Sequence, residues 1–305
     1  MMARNRLLLA ILAALSITRA QVVIEPRPKP AEHTVRPNIR ADSNLVLVPV
    51  TVVDMRNHPV TGLEQENFRV FDDGGQRRIT AFAMDDEPVA LGLIFDHSGS
   101  VAGIRRNEAS TTRMFLQTSN PEDDYFLVDF ASRPELAVPL TNGKEEVGYR
   151  ILTTKWGGST ALYDGVILGL NELKKSHLSR KALLVVSDGG ENNSRYNHRE
   201  LEKIVEESDA LIYAIGFQSE QANFGLLRWM SELSGGRAIS AQAQDMADIA
   251  AKVALELRNR YVLGFPAAGI PHDGKLHNLR VQLITPHGMP TLKASWRRSY
   301  RAPEQ

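Results

Sequence analysis

Hydrophobic and polar positions divide the chain into three textures. Residues 45–53 read LVLVPVTVV, β-branched and almost wholly apolar, and residues 54–58 interrupt them with turn formers. This pattern predicts a buried strand followed by a turn. Two further short strands are predicted at 68–71 and 78–82, around Asp72-Asp73-Gly74-Gly75. Residues 44–87 are therefore expected to form an N-terminal β segment. Beyond Pro88 apolar runs of strand length alternate with amphipathic runs of helix length. Strands are predicted at 89–95, 125–130, 182–187, 210–217 and 237–240, and helices at 104–118, 161–175, 199–207, 223–234 and 245–259. Leu162, Val166, Ile167, Leu170 and Leu173 recur at helical spacing, with Glu172, Lys174 and Lys175 expected toward solvent. Such alternation requires crossover connections, and so predicts a Rossmann-like α/β domain over 88–259 with a mostly parallel sheet and helices on both faces. Strand texture returns at 260–265, 279–284 and 292–296, giving a C-terminal β segment over 260–300. Neither β flank has enough strands to bury two faces alone, so the two are expected to pair as one small β-sandwich.

The first residues have another character. Arg4 and Arg6 precede an apolar run over 7–15, and Thr18 and Ala20 precede Gln21. Residues 1–20 read as a signal peptide cut after Ala20, which implies export to the periplasm or beyond the cell. The run falls short of the roughly 20 residues that span a bilayer, and no later segment is apolar for long enough, so no transmembrane span is expected after cleavage. Pro26, Pro28, Pro30 and Pro37 mark 21–43 as an extended tether. Lys plus Arg and Asp plus Glu balance at 36 each, leaving no net field to favour nucleic acid. The chain has no cysteine, which excludes a lipidated Cys anchor, disulfides, thiolate metal sites and a Cys nucleophile.

Ligands of an open parallel sheet gather outside the carboxyl ends of its strands, where strand order switches. Three polar segments fall at such ends: Asp96-His97-Ser98-Gly99-Ser100, Gly157-Gly158-Ser159-Thr160 and Asp188-Gly189-Gly190. Their donors are all oxygens, the set preferred by hard cations such as Mg²⁺, which takes octahedral geometry at about 2.0 to 2.1 Å and keeps several waters. Alternate spacing of Asp96, Ser98 and Ser100 lets one loop present all three inward. An ion held by few direct carboxylates keeps net positive charge and would attract an acidic group from outside.

The set DxSxS at 96–100, Thr160 after Gly-Gly and Asp-Gly at 188–189 resembles the metal-ion-dependent adhesion site of von Willebrand factor A domains. The chain is similar, more closely, to a bacterial family of exported VWFA-related proteins of acidobacterial type. That similarity runs through GLxxENF at 62–68, GGSTALYDGV at 157–166, RKALLVVSDGGENNSRY at 180–196, IYAIGF at 212–217, RYVLGF at 260–265 and DGKLHNLRV at 273–281. The resemblance implies a divalent cation, Mg²⁺ first with Mn²⁺ or Ca²⁺ as alternatives, bound by Asp96, Ser98, Ser100, Thr160 and Asp188. It also implies a protein partner that supplies an exposed Asp or Glu to the ion.

Three other functions compete. The carboxylates can simply cap loops and helices. A metal-dependent hydrolase or phosphotransferase would use the same kind of rim. Against it, no general base stands out, the ligand segments carry no Lys or Arg for phosphate, and neither a GxSxG elbow nor a GxxxxGK[ST] loop occurs. A metal-independent envelope scaffold is the third. Among neighbours, His97 is expected either to contact a partner or to be a solvated loop residue, and Asp129 either to be the buried partner of a loop donor or to lie on an exposed strand face. Asp164 is expected either to orient the site or to complement a helix dipole, and Asn192 and Asn193 to form a turn.

Overall fold

A computed structural model describes residues 45–302 apart from Lys155, Glu220, Gln221 and His272. The expected signal peptide and tether lie outside the described residues. Strands β1 (Leu45–Val53), β2 (Phe68–Asp72), β3 (Gly75–Arg77) and β4 (Ala81–Asp85) come first. The α/β region runs β5 (Val89–Asp96), α1 (Arg105–Thr118), β6 (Asp124–Phe130), β7 (Pro134–Thr141), α2 (Lys144–Thr153), α3 (Leu162–Leu173), β8 (Arg180–Ser187), α4 (His198–Glu207), β9 (Leu211–Phe217), α5 (Phe224–Ser234), β10 (Ala238–Ala241) and α6 (Met246–Arg258). Strands β11 (Arg260–Pro266), β12 (Leu276–Leu283), β13 (Lys293–Trp296) and β14 (Ser299–Arg301) follow.

The central sheet has the order β10-β9-β8-β5-β6-β7. All its pairings are parallel except β6 with β7. Side chains alternate along β5 because successive residues point to opposite faces. Leu91, Leu93 and Phe95 pack with Phe115 of α1, Val147 of α2 and Val253 of α6. Ala90 and Ile94 pack with Val166 and Leu170 of α3, Val205 of α4 and Leu227 of α5. Two apolar layers thus sandwich the sheet, as the sequence predicts.

Three local expectations need correction. Strand β7 and helix α2 are not foreseen, and Pro134 and Pro139 would be out of place if β7 were an interior strand. Its place at the end of the strand order makes it an edge, where proline does no harm. The strand expected at 78–82 is broken, since the chain there leaves β3 in one sheet to join β4 in another. Glu172 is buried and bonds Lys175 rather than facing solvent.

The flanks form two antiparallel four-stranded sheets, β13-β1-β11-β4 and β14-β12-β2-β3, each drawing strands from both ends of the chain. Val48, Val50 and Val52 of β1, Phe68 and Val70 of β2, Leu263 and Phe265 of β11, and Leu279 and Val281 of β12 share one core between them. This is the expected sandwich, with Tyr261 stacked on Phe82 inside it. Polar contacts join it to the α/β layers. Thr51 and Tyr213 hydroxyls meet at 3.3 Å. Arg237 donates to Asn57 Oδ1 at 2.9 Å and pairs with the fully buried Glu256 of α6.

Candidate metal centre

Strand β5 is the first strand of the central sheet, and the chain leaves it for β6 on one side and returns to β8 on the other. Their carboxyl ends are therefore the switch point, where no connection covers the rim. Asp96 ends β5, and Asp188 directly follows Ser187 at the end of β8. Ser187 joins them, donating its hydroxyl to Asp96 Oδ2 at 2.6 Å while accepting Gly189 N at 2.9 Å. Asp96 Oδ1 accepts Ser98 N at 2.9 Å, curling the loop back so that the Ser98 and Ser100 hydroxyls stand 3.2 Å apart. Asp188 is held likewise by Gly190 N at 2.7 Å and by the Ser219 hydroxyl at 2.6 Å.

The second segment is zipped to the first. Gly157 N donates to His97 O at 2.8 Å, and Gly99 N donates to Gly158 O at 3.1 Å. Gly158 has φ +99°, and a β-carbon there would lie 2.5 Å from Ser132 Oγ. The third segment closes over Thr160, whose carbonyl accepts Asn192 N and Asn193 N at 3.0 Å each and whose amide donates to Asn192 Oδ1 at 2.9 Å. The structure thus places all three segments together at one rim. Asp96, Ser98, Thr160 and Asp188 are almost completely buried, and Ser100 is half-buried at the mouth.

The electrostatics fit a cation. Burial pushes Asp96 up to about 6, its hydrogen bonds from Ser187 and Ser98 oppose this, and the charge of Asp188 raises it further. Two neighbouring buried carboxylates with hydroxyls around them form an oxygen-only donor set that a positive ion would relieve.

Several neighbours differ from expectation. His97 is not solvated: it is 1% exposed, its Nε2 lies 2.6 Å from Glu108 Oε1 on α1, and its ring packs 4.5 Å from that of Trp156. Asp129 takes the buried one of its two expected places, accepting the Thr154 hydroxyl at 2.8 Å and lying 3.6 Å from His97 Nδ1. Strand β6 is covered on both faces beyond its first residue, so Asp129 near its end cannot face water. Asp164 accepts Arg195 N at 2.9 Å, Tyr196 N at 3.2 Å and Arg195 Nε at 3.1 Å. It braces the loop after Asp188 from the first turn of α3. Ser187 and Ser219 are supporting residues that sequence reasoning missed, and Asn192, expected only as a turn former, also holds Thr160; of the two missed, only Ser187, the polar residue ending an apolar run, carried a signal. Beside the rim lies an open cavity of about 620 Å³, lined by Ser132, Arg133, Asp164, Asn193, Arg195 and Tyr196.

Residues 91–191 match the family model of the von Willebrand factor type A domain. No curated protein matches the chain. Among solved structures, a von Willebrand factor type A protein from Catenulispora acidiphila is similar over 77% of this chain and 76% of its own, at 10% identity and TM-score 0.50. The von Willebrand domain of a type V pilus tip protein from Porphyromonas gingivalis covers 56% of this chain and 95% of its own, at 14% identity and TM-score 0.45. Proximal thread matrix protein 1 of the mussel byssus, with a zinc-occupied MIDAS motif, covers 61% of this chain and 49% of its own, at 17% identity and TM-score 0.48. Identities this low bear on the fold alone. The match over residues 91–191, together with a mostly parallel sheet between two helical layers, gives this region the fold of a von Willebrand factor type A domain.

Proposed function

We propose that the domain is a protein-binding module of adhesion type. In this proposal Asp96, Ser98, Ser100, Thr160 and Asp188 hold a divalent cation, Mg²⁺ before Mn²⁺ or Ca²⁺, and an Asp or Glu of a partner protein completes its coordination. The observation that carries the proposal is the pair of buried carboxylates at the switch point, Asp96 already raised by burial and by Asp188. A bound ion supplies net positive charge at the half-open mouth beside Ser100. The chain's own residues do the rest. The hydroxyls of Ser98 and Ser100 add no charge, and Asp164 and Asn192 fix the loops. Arg133, Arg195 and Tyr196 of the adjoining cavity offer charge and ring surface to an acidic segment. We assign the protein to the envelope or the exterior on the strength of residues 1–20; among the described residues no helix is long and apolar enough to cross a membrane.

Two measurements test this. Mn²⁺ binding followed by electron paramagnetic resonance should show one site that Asp96→Ala removes. Metal-dependent cross-linking in the native envelope should capture a partner with Mg²⁺ and lose it in EDTA and in Ser98→Ala. Capture that persists in both points instead to a metal-independent scaffold. The hydrolase alternative would be established by Mg²⁺-dependent phosphatase or esterase turnover that Asp96→Ala abolishes.

A further inference from the structure

A second group of ligand-type side chains lies in the β-sandwich, remote in sequence from the rim. The β2–β3 turn, Asp72-Asp73-Gly74-Gly75, is stitched to β12: Asp73 N donates to Asn278 O at 2.9 Å, and Asn278 N donates to Asp73 Oδ1 at 2.9 Å. Arg77 grips Asp72 Oδ2 through Nε at 3.1 Å and Nη2 at 2.7 Å. Each carboxylate thus has one oxygen anchored. The other oxygens converge on one atom, His277 Nδ1, with Asp73 Oδ2 at 2.9 Å and Asp72 Oδ1 at 3.4 Å. All three ligand atoms lie within 4.8 Å of one another.

The state of His277 separates this cluster from an ordinary ion pair. The residue is 7% exposed, and its buried Nδ1 has no hydrogen-bond partner. Both carboxylate oxygens are near enough, yet neither lies where a ring N–H could donate to it. A buried polar atom left this way carries a substantial cost. Ligands that share one ion at 2.0 to 2.2 Å sit about 3 to 3.6 Å apart when adjacent, close to the two separations from His277 Nδ1. Tyr300 of β14, its ring 5.4 Å from that of His277, donates its hydroxyl to Asp72 Oδ1 at 3.4 Å and flanks the group.

We infer that Asp72, Asp73 and His277 form a second cation site, specific for a borderline ion such as Zn²⁺. One imidazole with two carboxylates suits Zn²⁺ better than Mg²⁺, whereas the all-oxygen rim has the opposite preference. Asp72 and His277 are buried and Asp73 is exposed, so the ion reaches the site from the solvent side and keeps water there. Its structural effect is to clamp the β2–β3 turn to β12 beside the last strand, β14. The inference stands whether or not the rim holds a metal.

The test is Zn²⁺ titration of the full chain in millimolar Mg²⁺, by competition with a chromophoric chelator. Wild type and Asp96→Ala should each bind one Zn²⁺, while His277→Gln and Asp73→Asn lose affinity by at least about tenfold. Should His277→Gln fail to fold, Asp73→Asn at the exposed turn decides. Co²⁺ bound to the wild type should add a visible band and a paramagnetically shifted imidazole proton that Asp73→Asn abolishes. The site is refuted if wild type binds no Zn²⁺. It is refuted equally if affinity is unchanged in the variants or vanishes with Asp96→Ala.

Discussion

Asp96 is the residue on which rim chemistry and stability meet. Its folded value of about 6 lies above its ordinary 3.8, chiefly through burial. A carboxyl raised in this way contributes stability that is complete below 3.8 and lost as pH rises through about 6. At 1.36 kcal/mol per unit, the cation-free fold gives up about 3 kcal/mol across that window. A cation offsets the loss only where Asp96 is ionised. Mg²⁺ should therefore raise the melting temperature much more at pH 7.5 than at pH 5, and Asp96→Asn should abolish the Mg²⁺ effect while leaving the cation-free melting temperature at pH 7.5 equal or higher. An equal Mg²⁺ effect at both pH values would sink this account. Gly189 makes the backbone counterpart. It holds φ +79°, and a β-carbon there would meet Asn223 O at 2.4 Å. Gly189→Ala should cost about 1–3 kcal/mol in denaturant unfolding and weaken Mn²⁺ binding, because the displaced turn carries Asp188.

At the scale of elements, legibility follows how much of the outcome depends on local periodicity. Strands β5, β6, β8 and β9 are buried on both faces and read as continuous apolar runs; α3 reads from its spaced leucines and valines. The rim was legible for the same reason, since its polar segments follow those runs directly. What failed or stayed open depended on distant packing. The prolines of β7 are harmless only because nothing pairs beyond it, and His97, Asp129 and Glu172 are buried by neighbours far along the chain. The Arg237–Glu256 pair between β10 and α6 is equally invisible in sequence, yet it has a large expected effect. Glu256 is fully buried, and Arg237 also reaches Asn57 beyond the end of β1. Glu256→Ala strands a guanidinium in a mostly buried position and should lower unfolding free energy by about 3–5 kcal/mol, far more than an exposed pair such as Lys203–Glu207. Comparable losses from the two pairs would show that Arg237 finds water instead.

For the whole molecule, connectivity makes the sandwich and the α/β layers mechanically dependent. Strand β1 precedes the α/β region, but its partners β11 and β13 follow it, so the sandwich closes only when both ends of the chain are in place. Thr51–Tyr213 and Arg237–Asn57 then bond the closed sandwich to the central sheet. Loss of order in the α/β layers releases the ends that the sandwich must hold together, while loss of the sandwich removes contacts from β9 and β10. The described chain should therefore unfold in one calorimetric transition, and a cation bound only at the rim should shift all of it. At a hundredfold excess over Kd a single ligand adds about 2.7 kcal/mol, which for a chain of this size moves the midpoint by roughly 5–10 °C. Hydrogen exchange localises the effect. Saturating Mg²⁺ should slow exchange of the paired amides of β1 and β11, although neither strand contributes to the rim. Two resolved transitions, only one of them moved by Mg²⁺, would mean that the sandwich folds on its own and that the contacts through Tyr213 and Arg237 are too weak to couple it to the metal-binding layer.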